Sequence, residues 1–166
     1  MAQITLQGRP VQVEGPLLSK GEKAPDFRLV DKSLQDLSLR DLAGKRKLLS
    51  FFPSVDDATC AASVRKLNGR AGDLANTAVL CVSADLPFTH SRFCSAEGLD
   101  NVITLSTLRA PHFLQQYGVQ IAGGPLAGVA ATAVVVLDER DVVLHSQFAA
   151  DVAAEPDYDA AFAVLK

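Results

Sequence analysis

A nearly unbroken apolar run, Leu48 to Phe52, stands in the first third of the chain, and a regular apolar spacing follows it. The run predicts a buried strand, and Pro53 ends it because proline cannot donate to a ladder. Asp56, Asp57 and Thr59 then supply cap-type side chains. From Cys60 onward the apolar residues Ala61, Val64 and Leu67 recur at helical spacing. The pattern therefore predicts strand, short polar turn, helix, with Cys60 in or near the first helical turn.

The rest of the chain divides the same way. Ile4 to Leu6 and Val11 to Val13 alternate around Gly8-Arg9-Pro10, predicting a short hairpin. Gly15 to Pro25 is a turn-rich connection. Phe27 to Val30 and Leu34 to Leu39 are extended pieces, Asp41 to Gly44 is a helical turn, and Lys45-Arg46-Lys47 reads as a solvated start to the organising strand. Thr77 to Ser83 is a buried strand, and Pro87 opens a helix that Gly98 stops. Val102 to Leu105 predicts a strand, Pro111 to Tyr117 a helix, Thr132 to Leu137 a long strand and Val142 to Phe148 its hairpin partner. Pro156 and Asp157 start a closing helix through Leu165. Strands alternating with helices, then a hairpin and a final helix, argue one α/β domain over residues 1–166. The expected architecture is a mixed central sheet flanked by helices, similar to the thioredoxin-like pattern, with a β-hairpin added at the N-terminus.

Composition changes this picture little. The chain has 166 residues, and 19 acids against 16 bases leave a net charge of -3, so no basic footprint points to nucleic acid. Met1 to Pro10 lacks the charged start and apolar centre of a signal peptide. Arg109 to Asp138 encloses no charged residue, but Gly123-Gly124-Pro125 and Gly128 break the run, so a loop entering a buried strand is expected rather than a membrane span. The expectation is a soluble, cytoplasmic protein with no membrane association.

Candidate chemistry centres on cysteine. Cys60, Cys81 and Cys94 are too few for a disulfide scaffold, and none has zinc-knuckle spacing, so free thiols without a metal or cofactor are expected. Free backbone N–H groups at a helix start favour a thiolate and can pull a cysteine pKa to roughly 3.5–7.5. The competing reading of Cys60 is a small, buried, inert thiol. Cys81 sits inside an apolar strand, where burial is its default role. His90 lies four residues before Cys94 on one helix face, but two ligands make a poor metal site and a surface histidine is the expectation. His112 and His145 receive no role.

Several blocks, read in order, resemble the peroxiredoxin superfamily, in particular its bacterial thiol peroxidase branch (atypical two-cysteine peroxiredoxins). They include Ala24-Pro25-Asp26-Phe27, Phe52-Pro53-Ser54-Val55-Asp56 and Cys60-Ala61-Ala62-Ser63-Val64-Arg65-Lys66. Leu80 to Phe88, Ser91-Arg92-Phe93-Cys94, Asn101 to Thr107 and Glu155-Pro156-Asp157-Tyr158 continue the likeness. The resemblance implies an antioxidant, thioredoxin-dependent peroxidase acting on hydrogen peroxide or organic hydroperoxides. Cys60 matches the peroxidatic cysteine, which becomes a sulfenic acid, and Cys94 the resolving cysteine, which closes an intramolecular disulfide. The resemblance also implies that Pro53 belongs to the active-site pocket, and that the protein is a homodimer.

Two positions depart from the family pattern. Asp57 stands where the family has a threonine or serine, and Thr132 where it has an arginine. A carboxylate about 4 Å from a thiolate costs on the order of 4 kcal/mol at an effective dielectric near 20. Losing the arginine removes the compensating cation and its forked donor. Thr59 offers another hydroxyl and Arg65 another cation; a capping aspartate, a strand threonine and a surface arginine are the ordinary readings of Asp57, Thr132 and Arg65. The expectation is a peroxidase with impaired activity. The alternatives are a catalytically weak redox sensor or binding protein, and thiol–disulfide exchange through Cys60-Ala61-Ala62-Ser63.

Overall fold

The computed structural model describes residues 2–166. The chain opens with a hairpin, β1 (Ala2–Leu6) and β2 (Arg9–Glu14), whose turn residues Gln7 and Gly8 both have positive φ, 50° and 80°. That geometry suits the right-handed twist of the paired strands. Next come β3 (Arg28–Asp31), β4 (Asp36–Ser38), a single 3-10 turn over Leu39–Leu42 and β5 (Arg46–Phe51). The sequence α1 (Ala58–Ala71), β6 (Thr77–Ser83), α2 (Pro87–Glu97), β7 (Ile103–Ser106) forms the parallel half of the domain. The chain finishes with α3 (Phe113–Gln116), β8 (Gln120–Ile121), β9 (Ala133–Leu137), β10 (Val143–Phe148) and α4 (Tyr158–Ala163).

Seven strands build the central sheet in the order β10-β9-β5-β6-β7-β3-β4. β5, β6 and β7 are parallel, while β9, β10, β3 and β4 are antiparallel to their neighbours. This is the mixed, thioredoxin-like α/β sheet that the alternation of strands and helices predicts. The hairpin forms a second, three-stranded sheet, β1-β2-β8. β8 is an addition to the sequence reading. Two residues cannot show a periodicity, and Gln120 and Ile121 pair with β2 only because the chain folds back there.

Both faces of the central strands are buried, which explains why β5, β6 and β9 read as continuous apolar runs. Along β5, Leu49 and Phe51 pack with Phe27, Phe113 and Tyr117 on one side, while Leu48 joins Val64, Leu67 and Phe162 on the other. The Phe27 and Phe113 rings meet edge to face, with centroids 5.3 Å apart. α1, α2 and α4 contribute to the second layer, and both Cys60 and Cys94 lie in it.

Lys47 corrects the expectation of a solvated strand start. Its side chain is fully buried and its ammonium pairs with Asp141. Arg46 and Lys47 point to opposite faces, as strand neighbours must, and Lys47, on the face of Leu49 and Phe51, meets Asp141 in the β9–β10 turn. Breaking such a pair by deleting one partner costs about 3–5 kcal/mol, because the other charge stays buried.

Candidate active site

The site forms where β5 and β6 end. In open α/β sheets, crevices at the carboxyl ends of parallel strands are the usual places for chemistry. β5 leaves the sheet at Phe51, passes through half-buried Pro53 and enters α1 at Asp57. The Asp57 carboxylate caps the helix, accepting from the Cys60 backbone N–H at 3.1 Å. Cys60 is therefore the third residue of α1, in the turn that the sequence predicts.

The surroundings of its sulfur differ from the expectation. Cys60 is only 3% exposed. Burial pushes its thiol up to about 12, the Ser54 backbone N–H works in the opposite direction, and the Asp57 and Asp85 carboxylates push further upward. A lowered pKa, expected from the helix start alone, does not survive this packing. The helix end offers a fraction of a charge, whereas removal from water penalises the whole thiolate.

Thr132 precedes β9, whose first residue Ala133 pairs with Phe51. It thus stands beside the end of β5, where the Cys60 loop begins. Its hydroxyl is committed elsewhere, donating to the Val152 carbonyl at 2.7 Å. Arg65 is likewise engaged, with a forked contact to Glu97 of α2 at 2.8 and 2.9 Å. Arg92 of α2 reaches the Cys60 loop from outside and pairs with Asp56 at 3.0 Å.

Cys94 lies on the buried side of α2, 3% exposed, with its sulfur 3.8 Å from the Thr104 hydroxyl. Cys81 is completely buried in β6, and its thiol is raised, chiefly by burial and secondarily by Cys94 nearby. All three cysteines are free thiols. Among the described residues no group of three or more His, Cys, Asp or Glu side chains is arranged to hold a metal. No helix among them is long and apolar enough to cross a membrane.

His90 overturns the surface expectation. It is fully buried, with Nε2 2.8 Å from the Ser83 hydroxyl and 3.6 Å from Asp85. With Ser54, these residues form a polar cluster under the Cys60 loop that sequence reasoning missed. One signal was available. Ser83-Ala84-Asp85 puts polar residues directly after the central strand β6, where the sheet's crevice opens.

Comparison with known proteins agrees with this fold. Residues 19–162 match the Redoxin family. A thiol peroxidase from Leptospira interrogans is 43% identical over 165 residues, spanning 98% of this chain and 96% of the relative. A solved peroxiredoxin-like protein from Aquifex aeolicus superposes with a TM-score of 0.92 at 32% identity, covering 98% and 95% of the two chains. A thiol peroxidase from Chromobacterium violaceum gives 0.89 at 28% identity, covering 98% and 94%. The thioredoxin-like sheet and the match over residues 19–162 define the class. The chain belongs to the redoxin, or peroxiredoxin, family and to its thiol peroxidase branch.

Proposed function

We propose that this protein is a peroxidase in which Cys60 is the reacting thiol, Cys94 resolves it, and turnover is impaired relative to the family. The Cys60 sulfur attacks the terminal oxygen of a hydroperoxide, the O–O bond breaks, and an alcohol or water leaves as Cys60 becomes a sulfenic acid. The Cys94 thiol then displaces water from that sulfur to close a disulfide. A dithiol protein of the thioredoxin type takes up the oxidation and returns both thiols. The protein works as a homodimer. The observation that carries this reading is the place of Cys60, third in α1 at the carboxyl end of β5, in a chain so close to a thiol peroxidase over its whole length.

The impairment follows from charge. The charged groups acting on Cys60 are Asp57 and Asp85, both anionic. Thr132 holds the place where the family pattern has an arginine, and its hydroxyl is bonded to Val152. Removing one preorganised donor from developing negative charge costs about 10²–10³ in rate. The same observation favours a second reading, a redox-sensing relative that keeps the cysteine pair but consumes peroxide slowly.

Stopped-flow oxidation of the reduced protein separates the two, with mass spectrometry to locate the modified sulfur. A Cys60 sulfenic acid formed faster than a free thiol reacts, followed by a Cys60–Cys94 disulfide, supports the peroxidase. Oxidation of Cys60 no faster than a free thiol removes it and leaves the sensor. A disulfide formed only by a milder oxidant supports the sensor directly.

A further inference from the structure

Asp85, in the loop between β6 and α2, is gripped from several sides. One carboxylate oxygen accepts from the Ser54 hydroxyl at 2.6 Å. The other accepts from the Val55 backbone N–H at 2.9 Å and from the Ser83 hydroxyl at 2.6 Å. The Asp85 carbonyl accepts from the Ser106 hydroxyl at 2.6 Å, so β7 fixes its backbone as well. Ser54 in turn accepts from the Asp56 backbone N–H at 3.0 Å, which closes the loop before α1. Because the single Ser83 proton goes to Asp85, His90 must donate Nε2–H to Ser83. Its Nδ1 is buried and finds no partner among the described residues.

We propose that Asp85 is a positioning residue for Cys60, holding the Ser54–Asp56 loop against the first turn of α1 and tying it through Ser83 and His90 to α2, the helix of Cys94. The inference rests on the reading of Cys60 as the reacting thiol. Burial alone would raise the Asp85 carboxyl, but contacts from His90, Ser54, Ser83 and the Val55 N–H hold it well below the usual carboxylate range. Ser54 matters because its backbone N–H favours the Cys60 thiolate. The same carboxylate is also a negative charge near the sulfur, which disfavours that thiolate. Positioning and bare charge therefore predict opposite signs when Asp85 is removed. The other ionisable groups around the loop are Asp57 on α1, the Asp56–Arg92 pair at its outer face and His90 on α2.

The test is the pH dependence of Cys60 alkylation, resolved by peptide mass spectrometry, in the wild type and in Asp85→Asn and Asp85→Ala. The asparagine keeps an acceptor for Val55 and a partner for Ser54 without the charge, so the Cys60 pKa falls below the wild-type value. The alanine frees the loop, so the pKa rises and Cys60 oxidation at neutral pH slows about tenfold for each unit of rise. An alanine variant whose pKa falls as far as the asparagine's overturns the proposal, since Asp85 would then act only as a charge. Ser54→Ala guards against a poorly folded alanine variant, because it loosens the same grip while Asp85 keeps its contacts to the Val55 N–H and the Ser83 hydroxyl. It is expected to raise the Cys60 pKa, and an unchanged value also overturns the proposal. Neither result depends on turnover. A wild-type Cys60 that peroxide fails to oxidise removes the functional reading, and a reversed order of pKa values removes the positioning alone.

Discussion

The starts of α1 and α2 differ, and so do the places of their cysteines. α1 begins with a side-chain cap from Asp57 and carries Cys60 in its first turn. α2 begins at Pro87 after Leu86, without a side-chain cap, and carries Cys94 close to its end, where Gly98 turns the chain at a φ of 65°. Both cysteines are 3% exposed. Burial therefore does not separate their proposed roles, but their places along the helix do. Cys60 faces the end whose free N–H groups favour an anion, Cys94 the end whose carbonyls oppose one. A disulfide also needs Cα atoms within about 7 Å and open access for the sulfurs. With both cysteines buried, at least one of the two helix ends is expected to open for it.

The largest effect that would break this contrast comes from exchanging the cysteines for serine. Cys60→Ser is expected to lose essentially all peroxide consumption, whereas Cys94→Ser keeps the first oxidation and loses recycling. A peroxide assay with and without the dithiol reductant reads both. A Cys94→Ser variant that is also inert in the first oxidation would reverse the assignment. Next, Asp57→Thr combined with Thr132→Arg is expected to raise the oxidation rate by about 10²–10³. The larger side chain at a 5% exposed position costs about 1–3 kcal/mol in overpacking, which thermal unfolding measures.

Asp57→Thr alone has a smaller effect. It removes the first of the anions acting on Cys60, so the thiol falls below about 12, while threonine still caps α1 with a loss under about 1 kcal/mol. Stability against pH gives a further check. The folded thiol of Cys60 is raised from 9.0 to about 12, so the unfolded chain releases its proton first, and stability falls as pH rises across that window. Denaturant titrations at pH 8 and above should show the decline, shallower in Cys60→Ser, with the Cys81 share remaining. The smallest effect belongs to Arg65→Ala. Arg65 is turned to Glu97, so the Cys60 pKa is expected to stay where it is. A rise would show that this cation acts on the sulfur after all.

Much of the scaffold was legible because long apolar runs allow few alternatives. Thr77 to Ser83 is a strand from end to end, and Pro87 and Gly98 bracket α2 as their backbone chemistry demands. The cap before Cys60 was legible too, since Asp57 stands three residues ahead of the amide that it accepts from. Lys47 and His90 were misread for a common reason. Their type predicts exposure, and only partners distant in sequence, Asp141 for one and the Ser83–Asp85 cluster for the other, make burial tolerable. β8 escaped notice because its pairing is with β2, far away along the chain.

Local order and the helix start before Cys60 follow from the sequence alone, because steric preference, capping and apolar spacing act within a few residues. The electrostatic state of Cys60 does not. Whether that sulfur carries charge depends on how much water the second core layer excludes and on a carboxylate from another loop. Those are decided only when β5, β6 and α2 come together, since desolvation and through-space charge belong to the packed arrangement and not to the order of residues.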